Sequence, residues 1–422
     1  MKRRVLPPEY KKLFQITLLS IFITLTIPTM NYSLPDNPDP AEVVQDYFKR
    51  WQAVTRKGQV TEEEKRQALV QSMNNLLDME RVSRHLVPGK WKDMAPYLRQ
   101  RFNIALQDAL VNDIVNSNML QDSNLPLQLQ LTNEKITGAN TATLDFLLMG
   151  NNRRLDVQLF MSRNSQGDWK ITNLKINKKI SLVRHYYSFC KKMVDQYSVP
   201  YLIARLGNYN EVILEDFEGG SPGRFPPGWV WKSKDDHKRK PYVVRMEDGN
   251  HYLEATDEGE SVIIGKNIKW NLREYRYVSF RWRVHRIPKG GDERYGKTVD
   301  SAAGIYFIYK KKLGLIPESV KYVWSSTLPV GSAMRRSGVG KPWMVVADSG
   351  SEHLGEWRTY VFDAYQAYKD TFGGEPPATA IGIGILSDAN STHSFAYADY
   401  DDIRALKTAN ADSGVKKILE AE

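Results

Sequence analysis

A single cysteine, Cys190, stands in a chain of 422 residues. A disulfide framework or a cysteine-cluster zinc or iron-sulfur site needs at least two thiols close together, so both are excluded. Histidine is also sparse, with 7 in all, and none of His237, His251, His285, His353 and His393 sits at metal-ligand spacing from another. The chain has no Gly-x-Ser-x-Gly nucleophile elbow, no Gly-x-x-x-x-Gly-Lys phosphate loop, no Rossmann fingerprint and no His-Glu-x-x-His helix, which removes the common signatures of serine hydrolases, nucleotide enzymes and zinc peptidases. With 41% hydrophobic residues and 11% aromatics the composition is globular, not disordered or collagenous. Its length implies two or three domains.

Positive charge is unevenly spread. Residues 40–208 carry 24 basic and 16 acidic groups, whereas 209–422 carry 30 of each, within a total formal charge of +10. The basic half suits an anionic partner such as phospholipid head groups or an acidic protein, or is simply a solvated face. Nucleic-acid binding is not expected, because the aromatic-rich half is the one with no net charge.

Lys2, Arg3, Arg4, Lys11 and Lys12 precede an uncharged stretch from Leu13 to Pro35, whose strongly apolar part runs from Phe14 to Ile27. A basic segment before a short apolar run is the pattern of an export signal. Met30, Asn31 and Tyr32 are poor cleavage-site residues, so residues 1–35 read as a signal peptide or an uncleaved signal-anchor. Either way the remainder is expected in the periplasm, soluble or tethered to the inner membrane. Residues 36–40, Asp-Asn-Pro-Asp-Pro, form a linker.

A first domain is expected over 41–208. Val43, Val44, Tyr47, Phe48 and Trp51 have helical spacing, as do Glu62 to Leu77 after the capping residue Thr61, and Ala95 to Val115; Leu77 to Trp91 reads as a short helix ended by Pro88-Gly89. The period then changes to two. Leu125, Leu127, Leu129 and Leu131, then Leu144, Phe146 and Leu148, then Leu155, Val157, Leu159 and Met161 alternate with polar residues, and a fourth strand runs from Trp169 to Ile176. Helical spacing returns at Leu182, Tyr186 and Phe189. The fold expected is α+β, helices on one face of a four-stranded sheet. Two readings of its apolar face are open: Leu127, Leu129, Phe146, Leu148, Leu159 and Met161 pack only against the helices, or sheet and helices part to admit acyl chains.

The run Leu77-Asp78-Met79-Glu80-Arg81-Val82-Ser83-Arg84, Gly89-Lys90-Trp91 and Leu98-Arg99-Gln100-Arg101-Phe102, with Trp169-Lys170-Ile171, Ile180-Ser181-Leu182-Val183 and Tyr186-Tyr187-Ser188-Phe189, resembles the periplasmic phospholipid-shuttle component of Mla-type ABC transport systems, the toluene-tolerance auxiliary family. The resemblance covers about residues 41–206. It implies a lipid-binding-like domain without a catalytic group, a phospholipid ligand lined by the six residues above together with Val183, Tyr186 and Phe189, and an inner-membrane ABC transporter complex as partner. Where the family has an acidic residue and a Gly before the Ser-Leu-Val, this chain has Asn177-Lys178-Lys179-Ile180, which puts the chemistry of the lipid entrance in doubt.

Over 210–408 about eleven short extended runs alternate with turn signals, which predicts an all-β, antiparallel, jelly-roll-like sandwich with one helix at Ala364 to Phe372; residues 409–422 read as a tail. Seven tryptophans fall here: Trp229, Trp231, Trp270, Trp282, Trp324, Trp343 and Trp357. Trp282, Arg283, Asp300, Trp324 and Asp388 are candidates for a ligand site, either for envelope glycan or for a lipid head group, although buried aromatics and ion pairs are the commoner roles. Glu215 and Asp216 near the first strand and Asp399 and Asp402 in the last resemble the strand pair that holds a structural calcium in carbohydrate-binding jelly rolls. The region is similar to an uncharacterised domain family of exported bacterial proteins, which implies no function. No other cofactor is expected. A glycan-binding or glycan-processing protein with the sandwich as its active part is the alternative reading, since glycosidases need only two carboxylates.

Overall fold

The structure is a computed structural model of the chain, and it describes residues 38–55, 61, 74–115, 128–150, 153–231 and 241–409. The export segment, Leu127, most of the helix expected over 62–77 and the tail lie outside the described residues. Among the described residues no helix is long and apolar enough to cross a membrane. The chain divides into two compact units, 1–94 with 99–192, and 95–98 with 193–422.

The first unit holds α1 (Pro40–Thr55), α2 (Met79–Leu86), α3 (Pro88–Trp91), most of α4 (Pro96–Val115), five strands and most of α5 (Leu182–Gln196). The strands are β1 (Gln128–Thr137), β2 (Thr141–Gly150), β3 (Arg153–Arg163), β4 (Trp169–Ile176) and the two-residue β5 (Ile180–Ser181), and they pair in that order, antiparallel throughout. Local chemistry explains the breaks. The Asp78 carboxylate caps α2 by accepting from the Arg81 amide at 2.9 Å. Val87 precedes a proline, which disfavours helical backbone at that position, so α2 ends before it and the single turn α3 starts afresh at Pro88. Between β3 and β4 the Asn164 side chain accepts from the amides of Gln166 and Asp168, and Gly167 takes the left-handed backbone that closes the turn.

β1 extends six residues beyond the alternation that marks it. Apart from Ile136, Thr132 to Thr137 is polar, as suits an edge strand with both faces largely wet there, so period alone does not reveal it.

The second unit has two sheets. One has the order β14-β15-β13-β12-β17-β10-β7, the other β16-β11-β18-β9-β8 with β6 also on β18. Their ranges are β6 (Glu211–Glu215), β7 (Val230–Trp231), β8 (Tyr242–Glu247), β9 (Asn250–Asp257), β10 (Ile264–Asn271), β11 (Tyr277–Arg286), β12 (Ala303–Lys312), β13 (Ile316–Ser325), β14 (Ala333–Met334), β15 (Trp343–Ser349), β16 (Arg358–Asp363), β17 (Thr379–Ile385) and β18 (Ala396–Leu406). One cluster fills the space between the sheets, including Trp270, Phe280, Trp282, Phe307, Tyr322, Trp324 and Tyr400. Phe280 alone meets the rings of Trp282, Phe307, Tyr322, Tyr360 and Phe362. α6 (Val199–Leu206) contributes Tyr201 and Ala204 to this core, and α7 (Ala364–Phe372) follows β16.

One expectation is corrected. The sandwich is not wholly antiparallel: β13 and β15 run parallel, because the 326–342 excursion is long enough to return the chain to the same end of the sheet. The strand β10 begins only at Ile264. Ser261 has a positive φ and its amide, with those of Gly259 and Glu260, donates to the Asp257 carboxylate, which builds a loop there.

Candidate functional site

In the first unit, pairing register puts one apolar stripe across four strands. Leu129 is opposite Leu148, Leu131 opposite Phe146, and on the other side of β2, Leu148 opposite Leu155, Phe146 opposite Val157 and Leu144 opposite Leu159. Val157 and Leu159 in turn face Ile176 and Leu174. Partners directly opposite share a face, so these described leucines form one surface. Met161, opposite Ala142, extends it. Phe146, Leu148, Leu159 and Met161 are no more than 3% exposed. Leu129 and Leu131, on the edge strand, are half-buried. The stripe thus grades from enclosed at its centre to accessible at β1.

The helices supply matching apolar faces. Phe102, Ala105, Leu106, Leu110 and Val111 of α4 are fully enclosed, as are Val82 and Leu86 of α2. Leu182, Tyr186 and Cys190 are the buried face of α5, while Val183 and Phe189 are half-buried beside it. Tyr186 Oη donates to Asp113 Oδ2 at 2.7 Å, joining α5 to α4. Burial and the adjacent carboxylate push the phenol well above its ordinary range, so it stays neutral and a donor. Burial likewise pushes the Cys190 thiol up to about 12, which makes it an inert packing group and not a nucleophile. The α4 residues and Leu131, Val157, Leu174 and Ile176 belong to this face equally. Their spacing carried the signal; which helix face meets the sheet is a tertiary fact.

The five residues singled out in the sandwich do not assemble. Trp282 and Trp324 are fully buried with ring centroids 6.3 Å apart, so neither can stack on a ligand; an inward position on a strand between two sheets makes them core. Arg283 lies on the other face of β11, between the Tyr252 and Trp357 rings, and pairs with Asp399 at 2.8 Å and Glu247 at 3.1 Å. Asp300 and Asp388 are on loops beside the other sheet; both are buried, and burial, with the nearby charge of Asp300, holds the Asp388 carboxyl above the usual range.

The calcium grouping does not form either. Glu215 accepts from the Trp229 indole at 2.6 Å, the Lys266 ammonium at 2.7 Å and the amides of Asp216 and Phe217. Asp399 is engaged by Arg283 and His285, and Asp402 by Arg281 and Arg404, while Asp216 caps the turn at Glu218. These carboxylates are engaged by the protein's own cations and N–H groups, and among the described residues no group of three or more His, Cys, Asp or Glu side chains is arranged to hold a metal.

Residues 41–208 match the family described as MlaC protein, and residues 228–404 match DUF3047, a protein family of unknown function. The first match spans the strands and helices that carry the apolar stripe. No curated protein matches the chain by sequence. Among solved structures, a phospholipid-binding protein from Ralstonia solanacearum in complex with a phospholipid is similar at 13% identity over 37% of this chain and 84% of its own, with a TM-score of 0.31. A family 30 carbohydrate-binding module of a Clostridium thermocellum cellulase is similar at 14% identity over 47% of this chain and 99% of its own, with a TM-score of 0.25.

Proposed function

We propose that the first unit is a non-enzymatic phospholipid carrier of the periplasm that holds acyl chains between the stripe and the helices and exchanges them with an inner-membrane ABC transporter complex. The second unit docks the carrier to a partner or to envelope glycan. The observation that carries the reading is the stripe itself, apolar and in register across four strands, within the residues that match the MlaC family. Burying acyl chains yields about 0.8 kcal/mol per methylene, so a few turns of hydrocarbon give ample affinity without any ionic contact to the head group. The half-buried edge at Leu129 and Leu131 is where chains enter. The excess of basic groups in 40–208 draws the unit to anionic bilayers.

The test is exchange. Full-length exported chain is incubated with vesicles carrying a radiolabelled phospholipid and separated from them by sedimentation. Label that stays with the protein at close to one lipid per chain supports the carrier. Label that stays wholly with the vesicles overturns it.

A further inference from the structure

One hairpin of the second unit runs past its neighbours. β12 and β13 pair with each other as far as Lys312 and Ile316, but among the described residues β17 meets β12 only at Ile305 to Ile308 and β15 meets β13 only from Val320 onward. At about 3.3 Å per residue, Ile316 to Ser319 carry the tip roughly 13 Å beyond β15. The turn there is Lys312-Leu313-Gly314-Leu315, closed by the Leu315 amide donating to the Lys312 carbonyl at 3.2 Å, with a positive φ at both Leu313 (50°) and Gly314 (73°). Such a turn favours Asn, Asp or Gly at its first central position, and a leucine is strained in it. Leu313 is nevertheless 86% exposed, and Leu315 83%. Neither turn chemistry nor core packing accounts for two bare leucines at the end of a projecting strand pair.

A second loop ends beside this tip. Because β13 and β15 are parallel, the segment leading into Trp343 lies at the end of the sheet from which the hairpin projects. The Cβ position of Gly340 is 3.6 Å from Ile316 Cγ2, which puts that segment against the base of the hairpin, and its Val339 is 81% exposed. Cations surround both loops. Residues 310–342 hold 7 basic groups and 1 acidic group, while the rest of 209–422 holds 23 and 29, so the positive charge of a neutral unit is concentrated here. Lys311, Lys312, Arg335 and Lys341 are exposed. Consecutive strand residues face opposite ways, so Lys311 and Lys312 flank the hairpin on its two sides just behind Leu313. Glu318, the carboxylate of that span, is already paired with Lys310 at 3.3 Å, which leaves the basic excess facing outward.

We infer that this hairpin tip, with Val339 beside it, docks on the surface of an anionic phospholipid bilayer, Leu313 and Leu315 entering the interface and Lys311, Lys312, Arg335 and Lys341 lying against head-group phosphates. Apolar side chains backed by cations match the order in which a bilayer presents its chemistry, hydrocarbon beneath and negative charge above. The projection is long enough for the tip to enter the head-group boundary while the sheet stays in water. A protein partner would need a pocket fitted to the tip, whereas a bilayer needs none. The inference rests on the docking role of the second unit and names what it docks to; it does not require lipid carriage by the first.

The test reads the tip alone. Cys190 is buried with its thiol pushed up to about 12, so Leu315→Cys offers a polarity-sensitive fluorophore the reactive thiol. Labelled full-length chain is titrated with vesicles of phosphatidylcholine, with vesicles of phosphatidylcholine and phosphatidylglycerol, and with poly-glutamate. The expected result is a blue shift on the anionic vesicles, quenched by spin-labelled acyl chains, that needs about tenfold or more vesicle when Leu313→Ser or the pair Lys311→Gln and Lys312→Gln is added. All these positions are exposed, so the variants keep the fold. No blue shift on anionic vesicles overturns the inference, whether or not the chain sediments with them, as does a titration that the added substitutions leave unchanged. A response to poly-glutamate and not to vesicles overturns it in favour of an acidic protein. Phospholipid retained by each preparation is measured separately, so failure here leaves the carrier reading to its own test.

Discussion

Leu129 and Leu159 occupy the same stripe but carry different information. Leu159 is fully enclosed, so its truncation measures packing, with a loss of about 2–5 kcal/mol expected for a leucine cut to alanine in a closed core. Leu129 is half-buried on an edge strand, where a charge can reach water without unfolding the sheet. Leu129→Glu is therefore predicted to leave the thermal midpoint nearly unchanged and to lower retained phospholipid severalfold, read by mass spectrometry of organic extracts per mole of protein. Full retention would place the chains elsewhere. Asp257 makes a second prediction. Burial raises its carboxyl from 3.8 to about 6 against the pull of its amide donors, so the folded state holds a proton that the unfolded state has released. Its contribution to stability is complete below about pH 4 and is lost as pH rises through about 6. Asp257→Asn removes that titration, and the midpoint of the variant should fall less steeply between those pH values; an unchanged slope would deny the shift.

At the scale of elements, two helices rest on similar caps with different support. Asp78 caps α2 from an exposed position, and its loss should cost about 1 kcal/mol. Asp363 caps α7 through the Gln366 amide at 2.9 Å and is also gripped by Arg276. Its replacement by alanine removes both, so Asp363→Ala should cost about 2 kcal/mol by urea denaturation, more than Asp78→Ala. Equal losses would show that the Arg276 contact adds nothing. The same elements show what the sequence could reveal. The strands β2 and β3 follow directly from alternation, and β4 and the helix α7 stand at the bounds the sequence suggests. The polar half of β1, the late start of β10 and the parallel pairing of β13 with β15 do not, since they are decided by edge position, by a side-chain loop at Asp257 and by the length of an excursion. Strand period places Trp282 and Trp324 on strands, but the choice of face is made only when the second sheet arrives.

The whole molecule joins a basic unit with an apolar stripe to a charge-balanced sandwich. If anionic bilayers attract the first unit through its excess of basic groups, raising salt should slow lipid exchange with anionic vesicles and leave exchange with zwitterionic vesicles unaffected, because screening acts only on the charged encounter. Equal salt dependence for both would remove the electrostatic part of the account. The carrier claim itself is tested most directly by native mass spectrometry of the full chain, purified without harsh detergent and then denatured to release what it holds. The account predicts an added mass near that of one phospholipid, released as phospholipid on unfolding and depleted in Leu129→Glu. A chain that flies at its bare polypeptide mass, in a preparation shown to be folded and to have met phospholipid, would contradict it.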